Sequence, residues 1–103
     1  MIEESDWVGD KTCMRMQGHS MTELGIAPGH FVILQRGVPF EDGSLIAYSL
    51  ERDPERVRIG KLEISPSGSL NAYSQRVGYQ RRYEIDIPRE RILAVVLGIV
   101  RNY

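Results

Sequence analysis

Cysteine is nearly absent from this chain: Cys13 is the only one among 103 residues. No internal disulfide can form, and the fold must stand on its core alone. Histidine is nearly as scarce, with two. His19 and His30 have no third or fourth partner at zinc-like spacing, so no metal or other cofactor is expected. Lysine occurs only as Lys11 and Lys61, which matters for any chemistry that needs an amine. No apolar run reaches the roughly 20 residues of a membrane span. The longest, Ile92 to Val100, is broken by Gly98. The opening Met1-Ile2-Glu3-Glu4-Ser5-Asp6-Trp7 is acidic and lacks the basic-then-apolar order of a signal peptide. No membrane partner is expected, and a reducing, cytoplasmic setting fits.

What is present suits one small soluble domain. Hydrophobic residues make up 42% and charged residues 26% of the chain. The net charge of −1 hides an asymmetry. Residues 1–55 carry ten acids and four bases, and residues 56–103 carry four acids and nine bases. A basic half can be a nucleic-acid surface. Here Arg76, Arg81, Arg82, Arg89 and Arg91 are scattered among strand and turn signals, with no helix-turn-helix or aromatic RNA motif beside them. Direct nucleic-acid binding is not expected.

The pattern is strand after short strand. Met14 and Met16 alternate with Arg15 and Gln17, a half-buried strand in which Cys13 reads as a small core residue. Ser20 to Leu24 has room for one helical turn, with Ser20 or Thr22 as cap. Pro28-Gly29 turns the chain into the apolar run His30 to Leu34. Asp42-Gly43 precedes a second run, Ser44 to Ser49. Asp53-Pro54 reads as a hairpin connection to Arg56–Ile64, and Pro66-Ser67-Gly68 as the turn before Ser69–Ser74. Tyr83, Ile85 and Ile87 keep a two-residue period that Pro88 ends. Ile92 to Val100 reads as a fully buried strand, with a short buried helix as the alternative. Residues 1–12 form an acidic leader and residues 13–103 one domain, a mostly-β sandwich or partly open barrel of short strands.

Three segments resemble one family. The first is Gly18-His19-Ser20-Met21, followed by Leu24-Gly25-Ile26-Ala27-Pro28-Gly29-His30-Phe31-Val32. The second is Phe40-Glu41-Asp42-Gly43-Ser44-Leu45-Ile46-Ala47, and the third is Val96-Leu97-Gly98-Ile99-Val100-Arg101-Asn102-Tyr103. In this order they are similar to the peptidase domain of LexA, UmuD and related phage repressors, the Ser/Lys self-cleaving proteins. The resemblance implies a LexA-like, signal-peptidase-like β fold and a role in transcriptional regulation such as the SOS response. It also implies a homodimer, with a peptide segment of the same or a fused chain as substrate. By the same resemblance Ser20 is the nucleophile and Lys61 the general base, with Met21 and Gly18 supporting the oxyanion through the backbone. The chemistry is sound in itself. A serine hydroxyl needs a base to take its proton. A desolvated lysine can serve, because burial disfavours its charged form.

The chain departs from the family at three places. The family's Val-x-Val-Lys-Arg/Lys-Leu strand corresponds to Val57-Arg58-Ile59-Gly60-Lys61-Leu62, which sets the lysine position on Gly60 and Lys61 one place later. A shift of one residue sends a strand side chain to the other face. A bulge at Gly60 would bring Lys61 back. Nineteen residues precede Ser20, and none of them forms the Ala-Gly or Cys-Gly bond the family cuts. The family's Asp-Gly-Asp turn is Pro28-Gly29-His30. Two expectations therefore stand side by side: a Ser20/Lys61 autopeptidase, and a catalytically silent relative that dimerises or binds a partner. His19 and His30 read as rim histidines rather than bases. Tyr73, Tyr79, Tyr83 and Tyr103 read as strand packing or a binding face. Trp7 is either an anchor for the leader or part of a frayed end.

Overall fold

The computed structural model describes residues 4–16, 29–74 and 83–100. Within them seven strands form one antiparallel sheet. They are β1 (Lys11–Arg15), β2 (Phe31–Gln35), β3 (Leu45–Leu50), β4 (Asp53–Ile64), β5 (Leu70–Ser74), β6 (Tyr83–Asp86) and β7 (Ile92–Val100). The order across the sheet is β1-β2-β7-β3-β4-β5-β6. The mostly-β expectation holds, and the form it takes is a single open sheet. Two short 3-10 turns, Glu4–Asp6 and Arg89–Arg91, are the helical elements among the described residues. No described helix is long and apolar enough to cross a membrane.

Alternation along the strands builds an apolar cluster on each face. The first gathers Met16, Val32, Leu34, Ala47, Ile59 and Ala94, with Trp7, Met14, Leu45, Val57, Val96 and Ile99 packed around them. The second gathers Ile46, Tyr48, Leu50, Leu62, Leu70, Ala72 and Ile87, joined by Phe40, Ile64 and Ile92. Val32, Leu34, Ile46 and Leu62 are the largest side chains withdrawn from water. Burying each of them contributes about 1.5–3 kcal/mol. Leu34 serves the first face, and Ile46 and Leu62 serve the second.

Three sequence expectations need correction. Cys13 is exposed rather than in the core. The alternation that turns Met14 inward turns its neighbour outward. Pro54 lies inside β4, because the chain turns earlier, at Glu51 and Arg52. The proline is tolerated because the β3–β4 register slips just there, between the Tyr48↔Arg58 and Leu50↔Asp53 pairs. β7 is a strand, as expected, but it is not fully buried. Its pairing slips twice, once past Leu93 and once past Leu97. These two residues and the terminal Val100 stay exposed, at 37%, 51% and 51%. A bulge adds an unpaired residue and re-aims the side chains beside it.

Candidate functional site

β4 carries the segment the sequence singled out, and its register is pinned from the turn before β3. The Asp42 carboxylate accepts the Ile64 N–H at 2.8 Å. The Gly43 N–H donates to the Leu62 carbonyl at 2.7 Å, and the Leu62 N–H donates to the Ser44 carbonyl at 2.8 Å. Gly43 takes φ +90°, which suits glycine, at the turn that starts this ladder. From there the pairs run Leu45↔Lys61, Ile46↔Gly60, Ala47↔Ile59 and Tyr48↔Arg58 without a slip. There is no bulge against β3 at Gly60.

Residues directly opposite in an antiparallel ladder share a face. Lys61 therefore stands with Leu45 and Ile59 on the side of the first cluster. Gly60 stands with Ile46 on the side of the second. Lys61 is half-buried, lies opposite Tyr73 on β5, and runs its stem past Gly43, whose added Cβ would sit 3.9 Å from Lys61 Cε.

The other side of Gly60 is full. A Cβ placed there would meet Tyr48 Cε1 at 3.0 Å, the Tyr73 carbonyl oxygen at 3.1 Å and Ala72 Cβ at 3.5 Å. Tyr48 sits diagonally across the ladder, two places from Gly60, and its ring leans over the space a side chain would take. It is 3% exposed. Burial pushes the Tyr48 phenol above its ordinary pKa, and the Arg58 cation opposes that shift. Arg58 lies directly opposite Tyr48. Its Nε is buried with no hydrogen-bond partner among the described residues, and its Nη2 lies 3.9 Å from the Asp53 carboxylate. Neither Tyr48 nor Arg58 stood out in the sequence, since only the register brings them beside Gly60.

Ser20, Gly18, Met21 and His19 lie outside the described residues, as does the expected turn of helix from Ser20 to Leu24. Their approach is described on both sides. The β1–β2 pairing extends past Arg15 and Phe31: the Met16 N–H donates to the His30 carbonyl at 2.8 Å, and the Gly29 N–H donates to the Met16 carbonyl at 2.9 Å. The serine segment thus leaves from Met16 and returns at Gly29, and Met16 is buried in the first cluster. Tyr79 and Tyr103 also lie outside the described residues.

No family model matches the chain. Over 92 residues it is 32% identical to a LexA repressor of Carboxydothermus hydrogenoformans, a match spanning 87% of this chain and 42% of the relative. These figures support a LexA-like family. The chain spans less than half the length of the curated relative it matches. The mostly-β sheet is consistent with that likeness.

Proposed function

We propose that this chain is a catalytically silent LexA-like regulatory domain, acting through self-association or partner binding rather than by cutting a peptide bond. The observation that carries the reading is Gly60. The family resemblance sets the lysine base at this position, and here the position has no side chain and lies under the Tyr48 ring. The next residue, Lys61, stands on the opposite face in an unbroken ladder. Self-association draws support from β7, where Leu93, Leu97 and Val100 leave apolar surface exposed.

A Ser20/Lys61 dyad, with the backbone of Met21 and Gly18 holding the oxyanion, is the second reading. One observation favours it: Lys61 shares a face with Met16, the residue from which the chain sets out toward Ser20. One experiment separates the two. The N-terminal part of the LexA repressor relative, supplied with an Ala-Gly bond, is joined ahead of Met1. The fusion is incubated at alkaline pH, where even a lysine of ordinary pKa near 10.4 loses its proton. The silent reading expects native, Ser20→Ala and Lys61→Ala chains to stay equally intact. Cleavage of the native chain that both substitutions abolish would establish the dyad and overturn the silent reading.

A further inference from the structure

One side chain just past the end of β2 gathers several contacts to the N-terminal segment. Arg36 Nη1 and Nη2 donate to the two carboxylate oxygens of Glu4, each at 2.9 Å. Nη2 also donates to the Gly9 carbonyl at 3.2 Å, and Nε lies 3.6 Å from Asp10 Oδ1. The guanidinium sits over the Trp7 ring, 4.5 Å from its centroid. Planar, forked and stacked contacts of this kind need arginine, since a lysine ammonium offers only a point charge. Under the guanidinium, Trp7 packs against the first cluster.

The backbone beyond is held differently. Val8 and Lys11 exchange backbone hydrogen bonds at 2.8 and 3.3 Å, and the Arg36 N–H donates to the Asp10 carbonyl at 2.9 Å. Gly9, at φ +63° with open space about its Cα, makes the tight turn that the Val8–Lys11 pair closes. Thr12 Oγ1 adds one contact to the Asp6 carbonyl at 2.8 Å. Val8 is thus already tied to β1 by its backbone, while residues 4–7 reach the sheet through the Arg36 fork, the Thr12 hydroxyl and the seat of the Trp7 ring.

We propose that residues 4–7 form a releasable strap, hinged just ahead of the Val8–Lys11 pair and latched by Arg36, whose opening lifts Trp7 off the first cluster. The ion pairs of the latch are open to solvent, with the Glu4 side chain 81% exposed. Exposed pairs are weak and screened by salt. Such a latch is easily opened by ions or by a competing carboxylate. Opening uncovers apolar surface of the cluster that also holds Met16, at the start of the serine segment.

Trp7 is the only tryptophan, so its fluorescence reports the strap alone. Arg36→Gln is expected to red-shift its emission and to raise acrylamide quenching through an up to about fivefold larger open population. Sodium chloride at about 1 M, where the screening length shrinks to roughly 3 Å, should move the native chain the same way. Arg36→Lys should fall between, because it keeps the charge and loses the fork. Circular dichroism checks that the sheet persists. Native-like emission and quenching in a folded Arg36→Gln variant would overturn the proposal. Should that variant fail to fold, the salt titration of the native chain decides, and an emission unmoved by salt rejects the latch.

Discussion

The two faces of the sheet treat neighbouring residues of β4 in opposite ways. On the second face Gly60 is pressed under Tyr48, with ring, carbonyl and methyl all within 3.5 Å of an added Cβ. On the first face Lys61 finds room beside Leu45 and along the turn at Gly43. One place in the chain separates a position that admits no side chain from one that holds a long flexible one. Strand parity enforces the difference, and the Asp42–Ser44 turn fixes the parity.

The largest effects should come from emptying each face in turn. Leu62→Ala on the second face and Leu34→Ala on the first should each cost about 2–5 kcal/mol in urea unfolding. The two side chains belong to different clusters, so the double variant should lose the two costs together within about 0.5 kcal/mol. A larger discrepancy would mean that the faces are packed as one core. Next comes Gly60→Ala, expected to cost about 1–3 kcal/mol because the added methyl overpacks against a buried ring and a backbone carbonyl. Adding Tyr48→Ala should remove the part of that cost set by the ring and leave the part set by the Tyr73 carbonyl, and a double-mutant cycle with no coupling would break the close approach. Lys61→Ala on the roomy face should stay within about 0.5 kcal/mol of the native chain.

Two titrations sharpen the same contrast. The Tyr48 phenol has a raised pKa in the fold, chiefly from burial. Its contribution to stability is therefore fully present below the ordinary tyrosine value and is lost as pH rises through the folded one. Unfolding midpoints should fall on the alkaline side in the native chain and fall less in Tyr48→Phe. The Glu4 carboxyl is held below its ordinary value, first by its hydrogen bond from Arg36 and then by the Arg36 charge. Its contribution is present above the unfolded pKa and lost as pH falls through the folded one. Trp7 emission should shift in acid before the sheet unfolds, the smallest of these effects.

Much of the sheet was legible in the sequence because its signals are local. Pro66-Ser67-Gly68 and Asp42-Gly43 are turns, and the alternation of Met14 and Met16 gave the inward phase of β1. That same phase places Cys13 outside, a consequence contained in the pattern but outweighed by the company of two methionines. The slips of β7 were hidden, since Ile92 to Val100 is apolar throughout and carries no period to reveal Leu93 and Leu97 as extra residues. Of the candidate site, the lysine shift onto Gly60 was readable, while the ring above it was not. Tyr48 reaches Gly60 only through pairing across β3 and β4, and Arg36 reaches Trp7 only when the end of β2 returns beside the N-terminal segment.

The contrast at Gly60 and Lys61 is most directly tested by proton nuclear Overhauser contacts in the native chain. Strong contacts between the Gly60 Hα protons and the Tyr48 ring, with ring-current-shifted glycine signals and Lys61 side-chain contacts to Leu45, are what the unbroken ladder predicts. A Lys61 side chain in contact with the Tyr48 ring, and Gly60 free of it, would contradict the account.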